Sequence, residues 1–212
     1  LVYLFFSALT VGFSGAMMPG SLLTYTIQQS LKTGARAGVL ISLGHAILEL
    51  GIIFLIILGL GAVLQSDLAQ AVIGLAGGAL LIIMGIQMLQ GALRNTVRIQ
   101  TEDTNTKSKN YKLALSGALI SAANPYFLLW WAVIGLGFIM QSYAALGTAG
   151  VAVYYFGHIT ADFIWYVSIS ALIGRTRHFI KEKPYRILIG ALGGLLVYFG
   201  ITFIVGAFGY FV

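Results

Sequence analysis

The chain has 212 residues, of which 59% are hydrophobic and 8% charged, with 12 Lys and Arg against 6 Asp and Glu. A soluble domain carries about a quarter of its residues as charges, so this composition leaves too little polar surface for a water-facing globule. The net charge of +6 does not indicate a nucleic-acid partner, because the basic residues are not gathered on a soluble domain, and the absence of cysteine excludes disulfide and thiolate chemistry.

Apolar runs long enough to cross lipid, about 20 residues each, recur along the whole chain. Backbone amides in hydrocarbon must be satisfied internally, and the runs lack in/out alternation, so the expected fold class is an all-α membrane protein. In chain order the spans are expected over residues 2–29, 37–62, 69–91, 113–140, 145–173 and 187–211. The first has no basic segment ahead of its apolar run and so does not read as a cleavable leader. The six spans divide into a transmembrane repeat over 1–91, a polar cytoplasmic linker over 92–112 and a second transmembrane repeat over 113–212. With that count every Lys and Arg, from Lys32 and Arg36 to Arg186, falls on one side. Short basic loops stay cytoplasmic, which places both termini outside.

The two halves echo each other. Gly44-His45-x-x-x-Glu49 matches Gly157-His158-x-x-x-Asp162, and Ile73-Gly74-x-x-Gly77-Gly78-x-Leu80 matches Ile189-Gly190-x-x-Gly193-Gly194-x-Leu196. Ser14-Gly15-Ala16 ahead of Pro19 matches Ser116-Gly117-Ala118 ahead of Pro125. An odd number of spans per repeat turns the second half upside down, the inverted architecture of many transporters, whose substrate site lies at the midplane.

Pro19-Gly20 and Asn124-Pro125 fall near the middle of the first and fourth spans. A proline inside a helix costs ~3 kcal/mol if uncompensated. One reading is a simple kink; the other is a broken helix. Asn124 followed by Pro125 has the form of an N-cap and N1 pair opening a new half-helix. In an inverted pair, half-helices starting at Pro19 and Pro125 would aim their positive amino ends at the membrane centre, where a substrate carboxylate could bind.

Glu49 and Asp162 are the acidic residues deep in spans. A charge there costs ~2.5–3.5 kcal/mol even on lenient scales, so each should face the bundle interior with a partner. They are candidates to bind a substrate ammonium or to exchange protons, with His45 and His158 one turn earlier on the same faces as partners in proton coupling. A structural hydrogen bond between helices is the plainer alternative. Gly74-x-x-x-Gly78 and Gly190-x-x-x-Gly194 read as packing motifs. Trp130, Trp131 and Trp165 read as interface or packing residues, and His178 as a solvated loop residue. There is no Walker-type phosphate loop, so direct ATP coupling is not encoded.

The stretch Ser14-Gly15-Ala16-Met17-Met18-Pro19-Gly20-Ser21, with Gly34-Ala35-Arg36-Ala37-Gly38, Gly44-His45 and Ser121-Ala122-Ala123-Asn124-Pro125, resembles the amino-acid exporters of the lysine exporter (LysE/RhtB) family. The likeness in length and layout covers the whole chain. Two positions depart from the usual pattern: Ser21 stands where the family usually has proline, and Tyr126 where it often has lysine. The resemblance implies a non-enzymatic secondary exporter in the cytoplasmic membrane of a prokaryote, with an amino acid and protons as its small partners, the bilayer around it and no cofactor. It leaves room for a homo-oligomer. The substrate-binding residues would be Pro19, Gly20, Ser21, Asn124, Pro125, Glu49 and Asp162. Rival readings are a divalent metal cation exporter, using His45, Glu49, His158 and Asp162 as ligands, and a membrane-embedded hydrolase built on the two His/acid pairs.

Overall fold

The computed structural model describes residues 1–60, 63, 66–94, 110–176, 179 and 182–209, apart from the side chain of Leu60. Most of the polar linker, together with Arg177, His178 and Lys181, lies outside the described residues. Among the described residues the secondary structure is entirely helical: α1 (Val2–Ala16), α2 (Ser21–Thr33), α3 (Ala35–Leu55), α4 (Asp67–Leu93), α5 (Asn110–Ala122), α6 (Pro125–Trp130), α7 (Leu136–Thr176) and α8 (Glu182–Phe208). π-helical turns follow α3 at Ile56–Leu60 and α6 at Trp131–Gly135. Four helical segments, Ala35–Gly59, Asp67–Leu93, Pro125–Thr176 and Glu182–Phe208, are long and apolar enough to cross a membrane, or five spans if the bent pair α1–α2 counts as one.

Both proline positions interrupt the helix. α1 and α2 meet at 81°. The second helix starts at Ser21 and not at Pro19, with Gly20 as its N-cap in extended geometry; Pro19 itself lies in the turn. At the second break α6 opens at Pro125, with the Asn124 side chain accepting from the Tyr126 amide at 3.1 Å. The expected connection at Gln141-Ser142 is helical instead, since Ser142 donates to the Phe138 carbonyl one turn back. The change of direction falls at Gly147 (φ 59°, ψ −145°), inside the 41 residues of α7. Gly34, between α2 and α3, has nearly the same conformation (φ 64°, ψ −148°). Each of these glycines stands eleven residues ahead of a histidine, His45 and His158 respectively.

Glycines set how closely the helices approach. Gly44 of α3 lies directly on the Ala114 backbone of α5, and Gly157 of α7 lies on the Phe5 carbonyl of α1. The pair α4–α8 is interlocked along its length, Gly85 against Gly193 and Gly78 against Gly200. The Gly74-x-x-x-Gly78 motif does pack, Gly74 meeting Ala207, but Gly190-x-x-x-Gly194 does not. Gly194 has no neighbour within 4 Å, and its place in the interface is taken by Gly193 and Gly200. Gly194 points away from α4 while Gly190 touches only Ala92 of α4, a distinction that a glycine-rich sequence cannot make. At one end of the bundle Gly34 meets Gly174, and Leu31 packs with Tyr185, Ile189 and Met88. This gathers Lys32, Arg36, Arg175 and Arg186 near one end.

The close contacts carry a testable consequence. Gly44→Ala is expected to force α3 from α5 and lower stability by ~1–3 kcal/mol. Gly51→Ala, with nothing within 4 Å, should leave the unfolding temperature unchanged. Equal melting temperatures for the two variants would contradict the packing described.

Candidate functional site

The i, i+4 spacing places His45 over Glu49 on α3 and His158 over Asp162 on α7. The antiparallel approach of α3 and α7, in which Gly38 lies on Tyr166 and Ser170, brings both pairs together. His158 Nε2 is 3.0 Å from Glu49 Oε1 and 3.6 Å from Asp162 Oδ2. His45 Nε2 is 3.2 Å from the same Glu49 oxygen and 3.7 Å from Asp162 Oδ1. All four side chains are buried. The two sequence pairs therefore form a single cluster, with Glu49 nearest its centre.

Hydrogen-bond bookkeeping constrains the protons. Ser121 Oγ donates its one proton to the Gly117 carbonyl at 2.7 Å and so must accept from His45 Nδ1, also at 2.7 Å. That assigns a proton to Nδ1 and turns Nε2 toward two carboxylates. A bare Nε2 there would face only lone pairs, so one further proton is required between His45 Nε2 and the carboxylates. His158 differs. Its Nδ1 has no hydrogen-bond partner among the described residues, and a single proton on Nε2, donated to Glu49, satisfies its contact. Glu49 Oε2 and Asp162 Oδ2 are buried without a hydrogen bond. Buried carboxylate oxygens without donors are costly.

The cluster lines a cavity with about 480 Å³ of empty space. The same lining includes Gly20 and Asn124, from the two helix breaks. A methyl group on Gly20 would sit 3.3 Å from Asn124 Nδ2, so the two breaks adjoin. Pro19 lines a smaller neighbouring pocket with Leu81, Leu196 and Phe203. Ser21 and Pro125 are buried but line neither of these spaces; Pro125 is wedged against Gly77 of α4. Of the sequence candidates, Gly20, Asn124, Glu49, Asp162, His45 and His158 thus reach one cavity, while Pro19, Ser21 and Pro125 support it from outside.

An aromatic wall completes the site. Phe127, Trp130 and Trp131 follow the second break at i, i+3 and i+4 and share one face. His158 is held 4.8 Å from the Trp130 ring and 5.3 Å from Trp131, and stacks on Tyr154 at 5.9 Å. His45 lies 5.2 Å from Phe127. The π-helical turn seats the Trp131 ring over Gly135. Tyr126 Oη donates to the Ser14 carbonyl at 3.2 Å and Trp130 Nε1 to Ser14 Oγ at 3.3 Å, tying the end of α1 to α6. Trp130 and Trp131, which read from sequence as packing or interface residues, line the cavity together with Ser121. The shared face just after an N-cap was the signal available for Phe127, Trp130 and Trp131; no local signal marks Ser121.

His45, Glu49 and Asp162 each offer a ligand atom within 4.8 Å of the others, so these three could converge on one cation. Ser121 Oγ, 2.7 Å from His45 Nδ1, donates its proton to the Gly117 carbonyl and not to the imidazole, so it is not turned as a hydrolytic nucleophile would be.

Apolar helices exposed on their outer faces, around a buried polar cluster and cavity, are the features of a multi-pass membrane protein. The model of the LysE type translocators matches residues 13–207, and the chain belongs to that family. It is 26% identical over 197 residues to the chemotactic transduction protein ChpE of Pseudomonas aeruginosa, covering 93% of this chain and 95% of that one. It is 24% identical over 200 residues to YcgF of Bacillus subtilis, which is named for amino acid efflux, covering 94% of each. No solved structure matches. The family is one of transporters, which favours a translocator over an enzyme and gives no support to metal export.

Proposed function

We propose that this chain is a secondary-active exporter of amino acids or related small metabolites, driven by proton influx across a prokaryotic plasma membrane. The observation that carries the reading is the cavity itself, lined both by Glu49 and Asp162, each with a carboxylate oxygen lacking a hydrogen bond among the described residues, and by two adjoining helix starts, at Gly20 and Asn124. A zwitterion has the matching polarity. Its ammonium would supply donors to Glu49 and Asp162, and its carboxylate would meet the amino ends of α2 and of the helix opening at Pro125. The proton needed between His45 Nε2 and the carboxylates is the candidate coupling ion, since an arriving ammonium would replace it as the donor. A zwitterion carries no net charge, so each inward proton adds ~2.3 kcal/mol per 100 mV of inside-negative potential to the drive for export; for a solute with one extra positive charge it cancels the same cost.

The same reading takes the chain as two inverted repeats of three spans, with α1–α2 and α5–α6 as the broken first spans. Its supports are the matched conformations of Gly34 and Gly147, the paired contacts Gly44–Ala114 and Gly157–Phe5, and the two-way crossing of α4 and α8. In this arrangement the basic end of the bundle is cytoplasmic.

Proteoliposomes test the function. Amino acid efflux should depend on an opposing proton gradient and collapse with a protonophore; movement of divalent metals with no amino acid transport would overturn the assignment. Orientation is tested in cells. The native chain has no cysteine, so single cysteines at Asp67 and Arg175 should react with an impermeant reagent from opposite faces. Labelling of both from outside would reject the topology.

A further inference from the structure

A second concavity lies outside the solute site, between the end of α4 and the start of α8. It holds about 670 Å³ of open space and is lined by Leu89, Ala92 and Leu93 of α4 and by Lys183, Arg186, Ile187 and Gly190 of α8. Its chemistry is split. Two cations stand at one end, and neither comes within 4.0 Å of an acidic side chain among the described residues, although Glu182 is the neighbour of Lys183. The remainder is aliphatic. By helical register Lys183, Ile187, Gly190 and Gly194 share a side of α8, so Gly194 lies one turn beyond the lining along the same face. A methyl on Gly190 would meet only Ala92, at 3.4 Å, and one on Gly194 would meet nothing, so among the described residues no helix fills the groove there.

We propose that this furrow is a binding site for an anionic phospholipid, its phosphate held by Lys183 and Arg186 and one acyl chain laid past Ile187, Gly190 and Gly194. Charge complementarity selects the headgroup. Arg presents a planar fork of donors to phosphate oxygens, Lys a point charge, and both stand at the end of an apolar helix where headgroups lie. The aliphatic lining selects a tail. A free phosphate would use the cations alone, and a second protein copy would leave two unpaired positive charges against itself.

The test uses the purified full chain in mild detergent, with phosphatidylglycerol, phosphatidylcholine and inorganic phosphate as probes. Native mass spectrometry should show phosphatidylglycerol retained at least tenfold better than phosphatidylcholine, and the lipid should raise the unfolding temperature. Lys183→Gln with Arg186→Gln should abolish the preference for the anionic headgroup; each single substitution should reduce it, which covers failure of the double variant to fold. Gly194→Leu, at an open position, should weaken retention of phosphatidylglycerol with both cations intact. Equal retention of the two lipids, or phosphatidylglycerol bound normally by both single variants, would overturn the proposal. Stabilisation by inorganic phosphate equal to that by the lipid would also overturn it, leaving a phosphate site without a lipid.

Discussion

Glu49→Gln and Asp162→Asn are each expected to lose gradient-driven transport by roughly ten- to a hundredfold. A hydrogen bond to a charged group contributes ~1.5–3 kcal/mol, and each 1.4 kcal/mol is tenfold. The substitutions nearly preserve volume, so assembly should survive. Glu49 is the severer test, because its Oε1 faces both histidines, at 3.0 and 3.2 Å. A glutamine at this position can donate an N–H to His45 Nε2. The cluster is then satisfied without the proton that the carboxylate required, and a proton gradient loses its purchase on the site. Asp162 stands farther off, at 3.6 and 3.7 Å, so its loss should weaken solute binding more than it alters the histidines. Solute exchange without a gradient separates these roles: Glu49→Gln should retain more of it than of driven transport. Wild-type driven transport in both variants would sink the proton reading, whatever the binding data showed.

The second large effect is expected from Gly20→Asp. Gly20 caps α2 without a side chain, so the first amides of α2 have no side-chain acceptor there, and Gly20, Leu22 and Leu23 line the cavity. Aspartate is among the best N-caps, and its carboxylate would take the amides proposed to bind the solute carboxylate. The capping bond should keep the unfolding temperature at or above that of the parent, while solute affinity falls by about tenfold or more, since N-cap contacts reach ~2 kcal/mol. Gly20→Ala is the control, because it adds the same crowding against Asn124 Nδ2, at 3.3 Å, without an acceptor. Unchanged affinity in Gly20→Asp would mean that the α2 terminus does not read an anion. An analogue lacking its carboxylate should bind the parent weakly and be indifferent to the substitution.

The amino-acid sequence by itself determined that this protein is helical and built for lipid, because hydropathy and the need to satisfy every amide are properties of composition and local runs. It also determined where two helices break and which histidine sits over which acid, because proline geometry, an Asn-Pro cap and an i, i+4 spacing act within one turn of chain. Local pattern was less reliable at connections. A polar pair at Gln141-Ser142 resembled a loop, yet the helix runs through it, since Ser142 satisfies its hydroxyl on its own backbone; the turn waits for Gly147, where a positive φ costs least. Only the tertiary structure decided that two separate His/acid pairs are one cluster, for His158 and Glu49 lie 109 residues apart. Only it decided that Ser121 orients His45, that Phe127, Trp130 and Trp131 wall the cavity, and that Gly193 faces α4 while Gly194 faces outward. Each of these is a contact between surfaces from distant parts of the chain. Its energy depends on how helices cross, and no residue or spacing within a single helix encodes the crossing.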